Sequence, residues 1–182
     1  MTRAFLTLVL SLLLPAAALA QDTRAIPQRH RAEPGQRIVR EVMHELLMNP
    51  YYTLWDDLRF RVDGSTVTLL GAVVNGAAKS DAVASVKKIE GVERVVDNIE
   101  ILPPSPADDR IRRAEYRAIF GDPGLFKYSL GAIPSVHIIV KNGHVTLTGY
   151  VNSEADKNIA GTRAKGVPGT FEVINNLQVS KD

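Results

Sequence analysis

A chain of 182 residues with no cysteine excludes disulfides, thiolate metal sites and cysteine nucleophiles together, and with them the lipidated cysteine of a bacterial lipoprotein. Lys and Arg number 22 against 20 Asp and Glu, for a net charge of +2. That near-neutral balance argues against a dedicated nucleic-acid binder and leaves any electrostatic partner to be met by a local patch.

The chain opens MTRAFLTLVLSLLLPAAALA, in which Arg3 precedes an uncharged apolar run from Phe5 to Leu14 and Ala18-Leu19-Ala20 closes the stretch. This is the pattern of a secretory signal peptide over residues 1–20, with cleavage expected before Gln21. The run is too short to span a bilayer comfortably. Cleavage removes Arg3 and no acid, so the mature chain is expected to carry 21 basic and 20 acidic residues. It is expected to be released as a soluble molecule without a transmembrane segment, secreted or, in a Gram-negative cell, periplasmic. Residues 21–35 mix Pro27, Pro34 and Gly35 with Arg24, Arg29 and Arg31 and show no periodicity, which predicts a flexible leader.

Next, Ile38, Val42, Leu46 and Leu47 recur at helical spacing and Asn49-Pro50 ends the run. Leu58, Phe60 and Val62 alternate as a strand into Asp63-Gly64, a hairpin dipeptide. The returning strand, VTLLGAVVN, points Val67, Leu69 and Val73 one way and places Gly71 on the same apolar face. A glycine there weakens a strand unless a bulge or a close helix approach needs the missing side chain. A second helix carries Ala78, Ala82, Val86 and Ile89, and a last strand follows through Val95, Ile99 and Ile101.

After a proline cluster (Pro103, Pro104, Pro106) the order begins again. Val67 to Ile101 aligns with Val145 to Val179 at a constant offset of 78 without a gap, pairing Gly71 with Gly149, Gly91 with Gly169 and Asn98 with Asn176. The first helices align at an offset of 73, so the second copy holds five extra residues between its first helix and first strand. Its first helix shows the stripe Ile111, Ala114, Ala118, Ile119, with Asp108 or Asp109 as the expected N-cap and Asp122-Pro123 as the stop. This is an internal duplication.

The predicted fold class is α+β: two tandem small domains, each helix-strand-strand-helix-strand, with a three-stranded mixed sheet packed on two helices. The expected boundaries are 36–102 for the first domain, 103–107 for a Pro-rich linker and 108–182 for the second. The phrases NGHVTLTGYVNSEADKNIAG and DGSTVTLLGAVVNG, with their Gly-Val and Asn-containing tails, resemble the BON domain family. That resemblance covers nearly all of the chain beyond the leader. It implies a bacterial envelope protein, often induced by osmotic or envelope stress, with a proposed association with phospholipid membranes. Thr170 departs from the family tail, where valine is usual, and puts the edge of the last strand in doubt.

No catalytic constellation emerges, and no enzyme, cofactor or metal is expected. His44-Glu45 opens like a zinc-protease motif, but position 48 is methionine. His137 in a strand and His144 beside a turn have no clustered carboxylates near them in sequence. Asp56-Asp57 and Asp108-Asp109 read as capping and solvated pairs.

Surface chemistry is more informative. Tyr51, Tyr52 and Trp55 fill the connector after the first helix, and Leu125, Phe126, Tyr128 and Leu130 fill its counterpart. Such residues form a membrane or peptide-binding tip, cap a small core, or bury the two units against each other. The first helix of the second copy carries Arg110, Arg113 and Arg117 on one side, with Arg112 beside them, whereas its counterpart mixes Arg37 and Arg40 with Glu41 and Glu45. Arg112, Arg113, Arg117 and Lys127, with Phe126 and Tyr128, are therefore the candidate contacts to an anionic phospholipid surface. The rival readings are a chaperone-like module engaging envelope proteins, and peptidoglycan or polysaccharide attachment.

Overall fold

A computed structural model describes residues 34–180, which belong to one compact unit. The expected signal peptide, its cleavage position and the leader up to residue 33 lie outside the described residues.

The first repeat comprises α1 (Pro34–Leu47), β1 (Asp57–Asp63), β2 (Thr66–Val73), α2 (Gly76–Val86) and β3 (Arg94–Ile101). The second comprises α3 (Pro106–Phe120), a 3-10 turn (Phe126–Ser129), β4 (Val136–Lys141), β5 (His144–Val151), α4 (Glu154–Lys165), β6 (Glu172–Asn175) and β7 (Gln178–Val179). In both, a hairpin pairs the first two strands antiparallel and a helical crossover returns the chain parallel to the middle strand. The sheet orders are β1-β2-β3 and β4-β5-β6, so the duplication extends to topology. One element departs from the expected three strands. The counterpart of β3 is broken into β6 and β7, both parallel to β5. At the break the Asn175 side chain accepts the Leu177 N–H (3.3 Å) and donates to the Lys157 carbonyl of α4 (2.8 Å), a local side-chain competitor to the ladder.

Gly71 and Gly149 have φ of 116° and 105°, and a Cβ on either would fall 1.9 or 2.0 Å from the carbonyl oxygen of Asp57 or Ser135. The close neighbour is thus the carbonyl at the start of the paired strand, and no helix is involved. Gly149→Ala is expected to lower stability by about 2–3 kcal/mol through positive-φ strain and displaced backbone, read as a fall in urea midpoint. Gly35→Ala, with nothing within 4 Å of the added carbon, serves as the neutral control.

Each repeat buries its own core. Ile38, Val42, Leu46, Val67, Leu69, Val73, Val86 and Ile99 fill the first, and Ile111, Ile119, Phe120, Ile138, Val145, Leu147 and Leu177 the second. The helical stripes differ in detail from the expected ones. Leu47 points outward, and Ala114 and Ala118 are only half-buried, because α3 turns Arg112, Glu115 and Phe120 inward instead. The N-cap of α3 is Ser105, whose hydroxyl accepts the Asp108 N–H, with Pro106 in the first helical turn. The linker thereby shortens to Pro103, Pro104 and the capping serine. Asp108 is not a cap. Buried, it accepts the N–H groups of Asn142 and Gly143, both at 2.9 Å, and ties α3 to the β4–β5 turn.

Of the three roles open to the aromatic connector, the fold selects burial of one repeat against the other. Tyr52 stacks on His137 at 5.2 Å, Leu54 accepts the Ile138 N–H at 2.8 Å, and Leu54 and Trp55 pack on the second core. Asp56, expected to be solvated, is fully buried and accepts three hydrogen bonds, from Thr53 N, Thr53 Oγ1 and Val74 N.

Candidate functional site

The candidate surface is built on α3 and α4. Ser105 and Ser153 cap the two helices, Asp108, Asp109, Glu154 and Asp156 occupy their first turns, and Arg117, Arg163 and Lys165 their last, the charge order that the helix dipole favours. Arg110, Arg113 and Arg117 run along the exposed side of α3. Arg117 has no ion-pair partner among the described residues. Arg163 reaches across from α4 to Asp122 at 2.8 Å, and this bond holds the Asp122 carboxyl below the usual carboxylate range.

Two of the residues expected to meet lipid are not available. Arg112 is 5 % exposed, with Nη1 on Asp109 and Nη2 on the Val140 carbonyl, both at 2.6 Å. A buried guanidinium fixing helix to strand cannot touch a membrane. Tyr128 is buried too. Its hydroxyl donates to Asp156 (2.6 Å) and accepts from the Asn152 N–H (2.7 Å), locking the connector to the start of α4. Lys127 is half-exposed and pairs with Asp156 at 3.1 Å, which raises its pKa, while the Tyr128 hydrogen bond leads in lowering that of Asp156. Phe126 is 55 % exposed. Arg113, Arg117, Lys127 and Phe126 therefore remain on the surface. Of the motif residues, Gly91 and Gly169 take positive φ against Ile38 and Ile111, while Asn98 lies exposed on β3 and Asn176 lies exposed in the break between β6 and β7.

A further feature was not legible in either helix alone. Between α3 and α4 runs a groove of about 740 Å³ whose floor is Ala114, Ala118, Ile159, Val167 and Pro168 and whose rim includes Arg117 and Arg163. At the corresponding positions of the first repeat stand Glu41, Glu45 and Asp81, with Glu90 opposite Pro168 and His44 and Ser85 opposite the two arginines. Four acids of one copy are replaced by apolar residues in the other. Comparing the repeats position by position would have found it in the sequence.

Among the described residues no three His, Asp or Glu side chains gather into a metal-sized cluster. His137 is buried under Tyr52, and burial pushes its pKa down. His144 pairs with Glu172, and His44 is exposed.

The family pattern described as BON domain matches residues 36–103 and again 108–181. The chain belongs to the BON-domain family. Its two BON domains resemble the osmotically-inducible protein Y of Escherichia coli (strain K12), which is 30% identical over 131 residues, 67% of this chain and 61% of that protein. The alignment thus spans less than two thirds of that relative. A solved structure of CdsD, a structural protein of the type III secretion system of Chlamydia trachomatis, aligns at 17% identity and a TM-score of 0.30, covering 79% of this chain and 93% of that one. No described helix is long and apolar enough to cross a membrane.

Proposed function

We propose that this BON-family protein is an exported, non-enzymatic envelope protein that attaches reversibly to anionic phospholipid surfaces through the α3–α4 face of its second BON domain, in the service of osmotic or envelope stress tolerance. The observation that carries the reading is the exchange of Glu41, Glu45, Asp81 and Glu90 for Ala114, Ala118, Ile159 and Pro168 beside the exposed Arg113 and Arg117. The export pattern of residues 1–20 and the likeness to an osmotically-inducible relative support the setting.

Each basic residue near an anionic surface contributes about 1 kcal/mol, so Arg110, Arg113 and Arg117 together supply weak, salt-sensitive attachment. Phe126 at the headgroup level adds an apolar part that salt does not screen. Arg113→Glu with Arg117→Glu is expected to reduce flotation with phosphatidylglycerol vesicles at least tenfold and to leave the melting curve unchanged, since both side chains are exposed. Arg40→Glu in the first BON domain should have little effect. Undiminished flotation of the double variant, or a parent protein that ignores anionic vesicles, sinks the reading.

A further inference from the structure

The two BON domains are packed in one direction, and that leaves each end of the molecule with half of an interface. Within the chain, the connector of the first domain is the inserting half. It lays Tyr52 on His137, bonds Leu54 O to the edge strand β4 at Ile138, and sets Trp55 against Tyr116 at 6.3 Å, which in turn packs edge-on to Phe120. The receiving half is the face made by α3 and β4. There Phe120 is only 4 % exposed and β4 is buried along nearly its whole length.

The duplication places the same receiving face on the first domain, where no described residue plays the part of the inserting connector. Met43 and Leu47 of α1 stand where α3 has Tyr116 and Phe120, and Leu47 is 50 % exposed against the 4 % of its counterpart. Val39 and Met48 extend the ridge, and β1 is a sheet edge with an alternating rather than a continuous burial pattern. An apolar ridge beside an open strand edge is a surface that another chain can cover. At the other end, the connector of the second domain presents Phe126 and Leu130, 55 and 58 % exposed. Leu130 aligns with Tyr52 when counted back from the following strand.

We infer that copies of this protein associate head to tail, the α3–β4 connector of one molecule docking on the α1–β1 face of the next in the manner in which the first BON domain docks on the second. The unbranched thioethers of Met43 and Met48 let that face fit a connector five residues longer than the one within the chain. The contact is heterologous, so it propagates into short chains or closes into a ring, and it does not stop at a two-fold dimer. It shares Phe126 with the lipid reading and leaves the α3 arginines uncovered.

Sedimentation velocity of the mature chain over a range of concentrations, with two complementary variants, decides the matter. Met43→Glu with Leu47→Glu blocks the receiving face, and Phe126→Glu with Leu130→Glu blocks the inserting one. All four side chains are half or more exposed, so circular dichroism melts should match the parent. The parent is expected to gain mass with concentration, and each variant alone to stay monomeric. An equimolar mixture of the two should form a 1:1 dimer and nothing larger, because one intact interface remains. A parent that is monomeric at every concentration overturns the inference, as does a blocked variant that still associates or a mixture that stays monomeric. The receiving-face variant retains Arg113, Arg117 and Phe126, so its vesicle flotation reports on the lipid reading separately.

Discussion

Glu115→Gln is expected to stabilise the protein above neutral pH and to remove a loss of stability that the parent suffers between about pH 4.5 and pH 8. Glu115 is fully buried in the second core, receives one hydrogen bond, from Thr170 at 3.0 Å, and has its other oxygen without a partner. Burial pushes its carboxyl up to about 7 from 4.5, with the Thr170 bond working weakly the other way. A folded-state pKa above the unfolded one means that the native state holds the proton more tightly. The stabilising contribution is therefore complete below the unfolded value and disappears as pH rises through about 7, a loss of roughly 3 kcal/mol.

His137 acts in the opposite sense. Burial lowers its pKa, so its contribution is present above the unfolded value of about 6.5 and is lost as pH falls. The informative quantity is thus the difference between parent and Glu115→Gln in urea unfolding free energy across pH 4 to 8.5. It should grow in favour of the variant with rising pH. A constant difference would show that Glu115 does not titrate in the folded protein.

The origin of this buried acid lies in the repeat. Val42 and Val92 of the first domain occupy the positions of Glu115 and Thr170, so an apolar pair has become a hydrogen-bonded polar pair. The sequence flagged Thr170 as a departure from the family tail, yet nothing in helical periodicity flags Glu115, since a glutamate in a basic amphipathic helix is normally read as solvent-facing. The same limit applies to Arg112. Its position next to Ile111 and one turn from Glu115 places it on the inner side of α3, a fact masked by Ala114 and Ala118, whose small apolar side chains mimic a core stripe while lining a groove.

What periodicity did reveal was everything that recurs. The element order, both hairpin turns, both strand glycines and the parallel return were all legible because two copies repeat them at a fixed offset. Relations between the copies were not, because packing of one domain on another leaves no period. The Tyr52–Trp55 connector could only be narrowed to three roles.

That connector is the setting of the largest expected effect. Asp56→Ala should cost about 3–5 kcal/mol, because it removes a fully buried acceptor and leaves three part-buried donors on Thr53 and Val74 without their partner. Two of those bonds close the Thr53 turn and the third ties it to Val74 at the end of β2, so the carboxylate holds the segment whose Leu54 carbonyl and Trp55 indole cover the second domain. No equivalent clamp exists in the second repeat, where the aligned residue is Pro134 and Tyr128 performs the anchoring through Asp156 and Asn152. The damage should therefore spread in one direction, from the first domain to the second. Amide hydrogen exchange is expected to accelerate at Ile138, whose N–H loses its partner on Leu54, while the Leu69 amide, in the middle strand of the first sheet, keeps its protection relative to global unfolding. Asp56→Asn, which retains one acceptor oxygen, should lose less than Asp56→Ala. Unchanged exchange at Ile138 in a variant destabilised by this amount would mean that the connector docks without help from Asp56.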